Sequence, residues 1–318
     1  MNHVTDPIPN DASTWETIRS RILEAAQTVM GPLPSTDRTR PPGWNIQEET
    51  DCGGYRRLRI EYESEPGCLT SAYLCRPQAA APESPAHAVL CLHPTNQIDG
   101  YADVVGLTDR ENRSYASELA ERGFVTIAPS YPHMAEYQPD LDALGYVSGT
   151  MKAIWDNIRA LDLLDSLDFV KGGAFATIGH SLGGHNSVYT ATFDTRLVAV
   201  VSNCGLDSYL DYKDGDISRW GQTKYMPRIL SYPTLNDIPF DFHDLISSIA
   251  PRACLISAPI HDNNFKWKSA ASVVEAARHI YQFYGAENRL KIIHPPCAHD
   301  FPAHVRTQAY NFIGAALS

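Results

Sequence analysis

A chain of 318 residues, 43% hydrophobic and 20% charged, carries enough apolar side chains to bury a large core and is neither disordered nor fibrous. Its 26 basic against 37 acidic residues leave a net charge of −11, the wrong sign for a phosphate-backbone ligand, so no nucleic acid partner is expected. No apolar run approaches the ~20 residues of a membrane helix, and Met1 to Asp6 offer neither a basic stretch nor an apolar signal core, so no membrane partner and a cytoplasmic location are expected.

Ser13 followed by Glu16 predicts a capping box, and Ile18, Ile22, Leu23, Ala26 and Val29 then recur at helical spacing until Gly31. Four prolines between positions 32 and 42 cannot continue that helix, so residues 31–50 read as an extended strap. Together, residues 1–50 form an N-terminal arm, which is the surface expected to serve any homo-oligomer. From residue 51 strands alternate with helices to the C-terminus, predicting an α/β domain with a mostly parallel sheet covered on both faces. Residues 55–63 and 69–76 read as an antiparallel pair, and 87–92, 124–129, 174–178, 197–203, 253–258 and 290–294 as later strands. Helices are expected at 112–122, 149–167, 269–284 and 303–317. Two segments, 130–146 and 207–247, break the alternation; loops this long are expected to be lids or binding walls. The seven cysteines, odd in number and without a C-x-x-C, read mostly as buried free thiols.

Gly179-His180-Ser181-Leu182-Gly183 matches G-x-S-x-G, with an apolar strand before it and a helical stretch after it. That context predicts a strained strand-to-helix elbow with the Ser181 hydroxyl exposed and small residues where strand and helix meet. A serine needs a base to take its proton and an acid to hold that base, in the order serine, acid, histidine. Asp262 and His299 each follow the carboxyl end of a predicted strand, where α/β sheets place their sites. His299 is read as the base and Asp262 as the acid, with Asp207 the alternative acid after the preceding strand. His180 and His185 have no metal-ligand spacing and read as packing or lining groups, and no metal site is expected. For a developing oxyanion the donors are the N–H of Leu182, at the start of a helix, and that of Thr95, because Pro94 has none to give; Asn96 is the reserve.

On these residues the chain, from about residue 55 onward, resembles the α/β-hydrolase superfamily, and within it the dienelactone-hydrolase and acetyl-xylan-esterase type of serine esterase. The resemblance implies an eight-stranded sheet with one antiparallel strand near the start, an acyl-enzyme, and no metal or organic cofactor. The family's usual His-Gly-Gly reads His93-Pro94-Thr95 here. A small-molecule ester is therefore the expected partner. A peptidase of the prolyl-oligopeptidase type would use the same triad but needs a large N-terminal domain for which some fifty residues leave no room; the third alternative is a non-catalytic receptor on this fold. Two runs, residues 219–228 and 265–268, mix basic with aromatic side chains, and Trp220, Tyr225, Arg228 and Trp267 are the expected pocket residues for a polar or anionic sugar ester. The same runs fit slightly better an exposed loop whose cations pair with neighbouring acids.

Overall fold

The computed structural model describes residues 11–318; the reading of the first six residues lies outside them. Helix α1 (Ala12–Met30) begins at Asp11, whose carboxylate accepts the Thr14 N–H at 2.8 Å. Asp11, not Ser13, is the cap, because the aspartate one step outside the helix already satisfies the orphan donor; Ser13 adds its hydroxyl to the same carboxylate at 2.7 Å. The apolar stripe Trp15, Ile18, Ile22, Ala26 and Val29 is fully buried against the body of the same chain, so α1 is part of the core. Its junction is tied by the Ser148 hydroxyl, which donates to the Met30 carbonyl and accepts the Met151 N–H at 3.0 Å. Further along, Arg38 forks onto Asp162 at 2.7 and 3.0 Å.

The expected strap is extended only as far as residue 43. Strand β1 (Trp44–Asp51) follows and pairs antiparallel with β2 (Tyr55–Glu65), which pairs antiparallel with β3 (Cys68–Pro77). Exposed on both faces, β1 shows no alternation by which sequence could reveal it, and its acidic side chains suit a sheet edge. The remaining strands are β4 (Ala88–Leu92), β5 (Val125–Pro129), β6 (Phe175–His180), β7 (Leu197–Asn203), β8 (Ala253–Ser257) and β9 (Leu290–Ile293). The sheet therefore has nine strands rather than eight, in the order β1-β2-β3-β5-β4-β6-β7-β8-β9, and every pairing from β5 to β9 is parallel.

Helices cover both faces of this sheet. One core holds α1, α3 (Gly149–Ser166), α5 (Phe242–Ile249) and α6 (Trp267–Phe283), and the other holds α2 (Tyr115–Glu121) and α7 (Ala303–Leu317). Strand β4 shows why a central parallel strand reads as one apolar run: Leu90 and Leu92 enter the first core, Val89 and Cys91 the second. All seven cysteines are free, five of them buried. No helix among the described residues is long and apolar enough to cross a membrane.

Candidate active site

Strand β6 turns directly into α4 (Leu182–Phe193) at Ser181, whose φ of 55° and ψ of −117° are costly for a residue with a Cβ. The turn closes only because its neighbours are glycines. A Cβ on Gly179 would lie 2.1 Å from the Gly183 carbonyl, and one on Gly183 would lie 1.8 Å from the Leu92 carbonyl oxygen of β4. The Ser181 N–H donates to the Asn203 carbonyl at 2.9 Å, which pins the elbow to β7.

His299, in the loop between β9 and α7, brings Nε2 to 2.9 Å from Ser181 Oγ. Its Nδ1 lies 3.0 and 2.9 Å from the two carboxylate oxygens of Asp262, which sits just past β8. A carboxylate can only accept, so Nδ1 carries the proton and Nε2 is left free to receive the one on Ser181. Burial acts to raise the Asp262 carboxyl, but the His299 hydrogen bond and the N–H groups of Asn264 (2.7 Å) and Phe265 (3.2 Å) outweigh it and hold the group below the usual carboxylate range. Asp207 does not reach His299; its carboxylate accepts the Lys266 N–H at 2.8 Å, and burial, reinforced by Asp211 and Asp241, pushes it up to about 7.

Behind His299 lies the buried ring of His180, with centroids 4.8 Å apart. Burial, and then the Arg113 guanidinium, hold His180 well below the ordinary imidazole range, so it packs as a neutral ring. Asn203 links this region together, its amide donating to His180 Nδ1 at 2.8 Å and to the Asp300 carbonyl at 3.0 Å. Cys204, Asp262 and His299 form one trio whose potential metal-ligating atoms lie within 4.8 Å of one another. Burial keeps the Cys204 thiol protonated, and His299 already bonds Asp262 and Ser181, so internal hydrogen bonds account for this trio.

Leu182 is the first residue of α4, so its N–H has no carbonyl four residues back within the helix to bond. Thr95 is exposed beside Ser181, its hydroxyl 3.0 Å from that of Tyr225. The loop bearing it is held by His93: the Tyr131 N–H donates to Nε2 at 3.0 Å, so Nδ1 carries the proton and donates to the Pro94 carbonyl at 2.7 Å. Burial pushes this imidazole down to about 4, keeping it neutral against the partial opposition of that carbonyl. Asn96 braces the same loop, its amide donating to Asp103 at 3.0 Å and its carbonyl accepting the Ile98 and Asp99 N–H groups at 3.1 Å.

Two cavities meet at Ser181. The larger, of about 310 Å³, is walled by Trp220 and Tyr225 together with Tyr212, Phe265, Arg219 and Lys224. The smaller, of about 270 Å³, is lined by His299, His180, Arg110 and Arg113. Two expected pocket residues are corrected: Arg228 is exposed and reaches instead for the Thr28 carbonyl of α1 at 3.5 Å, and Trp267 packs its ring on His294 at 4.9 Å. Both belong to the right runs, but within residues 219–228 it is Arg219, exposed at the rim, and half-buried Lys224 that border the cavity, and Phe265 takes the place expected of Trp267. His185, read from the sequence as a packing or lining group, lines this cavity with its ring 4.7 Å from Trp220.

Residues 130–146 do not face the larger cavity; Tyr131 and Met134 pack beneath its wall with Leu182 and against Tyr225. Residues 223–225 are hydrogen-bonded to the start of α3, where the Gly149 N–H donates to the Thr223 carbonyl at 3.0 Å.

No known protein-family profile matches the sequence. YtaP of Bacillus subtilis (strain 168), named as a hydrolase, is 24% identical over 253 residues, which span 76% of this chain and 82% of that protein. A glucuronoyl esterase from Solibacter usitatus superposes with a TM-score of 0.76 at 17% identity, over 97% of this chain and 95% of its own. Acetyl xylan esterase 1 from Thermoanaerobacterium sp. JW/SL YS485 does so at 0.61 and 16%, over 94% of each chain. With the sheet order, the elbow after β6 and these superpositions together, the chain has the α/β-hydrolase fold.

Proposed function

We propose that this protein is a serine carboxylic ester hydrolase with Ser181 as nucleophile, His299 as base and acid, and Asp262 as the group that orients His299. The observation that carries this reading is the continuous hydrogen-bonded line from Ser181 Oγ through His299 to Asp262, starting at a strained elbow. As Ser181 Oγ forms its bond to the ester carbonyl carbon, its proton passes to His299 Nε2 and the carbonyl oxygen becomes an oxyanion. The N–H groups of Leu182 and Thr95 are the proposed donors to that oxygen. Collapse breaks the bond to the alcohol oxygen, which leaves with the proton from His299. Water then attacks the acyl-enzyme, giving one proton to His299, which returns it to Ser181 Oγ as the acid departs.

The larger cavity mixes aromatic faces with polar and cationic groups, which suits a polar ester better than a fatty one. Carbohydrate esterases among the fold's relatives agree with a carbohydrate-derived ester as the substrate class. Ser181→Ala should abolish fluorophosphonate labelling and lower turnover of p-nitrophenyl acetate by ~10⁴ to 10⁶ with unchanged circular dichroism. A variant retaining near-normal activity, or a wild-type protein that neither turns over esters nor is labelled, would remove the reading. Acetyl, longer-chain and uronate methyl esters, with an amide as control, then separate ester from amide preference.

A further inference from the structure

The two cavities at Ser181 differ in what they can receive. The departing alcohol must take its proton from His299 Nε2, and His299 lines only the smaller cavity. The alcohol therefore occupies the smaller cavity, and the acyl chain extends past Leu182 into the larger one.

Charge separates them further. Arg110 and Arg113 in the smaller cavity are neutralised, by Asp103 at 3.0 Å and Asp300 at 2.6 Å, and Glu111 lines the same space. No aspartate or glutamate lines the larger cavity. Its cations, Arg219 and Lys224, form no ion pair with any carboxylate among the described residues: Arg219 lies near the Tyr212 hydroxyl, and the Lys224 ammonium lies 5.4 Å from the Tyr225 ring centroid. His185 adds nothing to that charge, since burial pushes it down to about 3. In a protein of net charge −11, two cations without an ion-pair partner beside a cleft with aromatic walls give it a positive potential, and Asp216, the carboxylate that acts on Arg219, is exposed and does not line the cavity.

Resting on the esterase reading above, we infer that the preferred substrate carries a carboxylate on its acyl part, as in the half-ester of an aliphatic dicarboxylic acid with an uncharged alcohol. Arg219 and Lys224 are then specificity-determining residues that bind the distal carboxylate while Ser181 attacks the esterified one. The chemistry is the ordinary two-step hydrolysis, and its products are a dicarboxylate and a neutral alcohol.

The test compares kcat/KM of the full-length protein for the p-nitrophenyl half-ester of glutaric acid and for p-nitrophenyl valerate, which has a methyl in place of the distal carboxylate. A charge-assisted contact predicts a preference of about tenfold to a hundredfold for the half-ester, falling at least tenfold in Arg219→Gln or Lys224→Gln. The preference should be unchanged in Arg228→Gln, which lies outside the cavity. In the wild-type protein glutarate should inhibit competitively at concentrations where valerate does not, a readout that needs no variant. Moving the charge to the alcohol, as 4-carboxyphenyl valerate against phenyl valerate, should give no preference. Equal turnover of the half-ester and valerate ester, or a preference for charge on the alcohol, overturns the inference while leaving the esterase reading intact. Absence of both turnover and fluorophosphonate labelling removes the esterase reading and this inference with it.

Discussion

Replacing Asp262 by asparagine tests how the site sets the tautomer of His299. Oδ1 of Asp262 accepts the N–H groups of Asn264 at 2.7 Å and Phe265 at 3.2 Å, while the carboxylate as a whole accepts His299 Nδ1–H at 2.9 to 3.0 Å. An asparagine fits the same space, and the two backbone donors will hold its oxygen where Oδ1 now sits. Its NH₂ must then face His299 Nδ1, so two donors would point at each other unless Nδ1 gives up its proton. The imidazole relieves this by carrying its proton on Nε2, where it donates to Ser181 Oγ and can no longer accept. A base held in the wrong tautomer costs about 10⁴ in kcat, and four powers of ten at 1.36 kcal/mol each amount to about 5.4 kcal/mol of barrier. Steady-state hydrolysis of p-nitrophenyl acetate measures this, with thermal melting as the control for folding. Because the aspartate carboxyl is held below its unfolded value, the stability it contributes is present above that value and is lost as pH falls through the folded one, so the variant should also be less sensitive to acid than the wild type. Activity within tenfold of wild type in Asp262→Asn, with a collapse instead in Asp207→Asn, would refute the reasoning.

Gly183→Ala should fail to fold or melt far below the wild type, since its Cβ would sit 1.8 Å from the Leu92 carbonyl oxygen and only backbone could move; differential scanning fluorimetry reads this out, and a normal melting temperature would show the elbow to be looser than described. Asp207→Asn should stabilise the protein increasingly as pH rises from 4 to 8. The folded carboxyl titrates at about 7 against 3.8 unfolded, so the wild type loses stability across that window, by at most about 4 kcal/mol, and asparagine retains an acceptor for the Lys266 N–H; a pH-independent difference in melting would contradict the burial argument.

Much of the site is legible in the sequence because it is built at strand ends. Ser181, Asp262 and His299 each lie just past an apolar run, in the chain order the topology requires, and parallel strands deliver such residues to one edge of the sheet whatever the loops do. The glycines of the elbow are legible for a related reason: where β6 turns into α4 and α4 approaches β4 there is no room for a Cβ. Strand β1 and the cap at Asp11 are not, since an edge exposed on both faces has no apolar period and Ser13 offers the same local pattern as a cap. Nor is the choice among Arg219, Lys224 and Arg228. In helices and strands the period sets which way a side chain points, but residues 207–241 contain only short turns, and there direction follows from what the backbone is anchored to. Hydrogen bonds from the start of α3 to residues 223–225 aim Lys224 and Tyr225 at the cavity and leave Arg228 against α1. The sequence by itself determined the fold class and the order of the three strand-end residues, because both depend on local period and chain order; tertiary contacts alone decided which charges line the cavity.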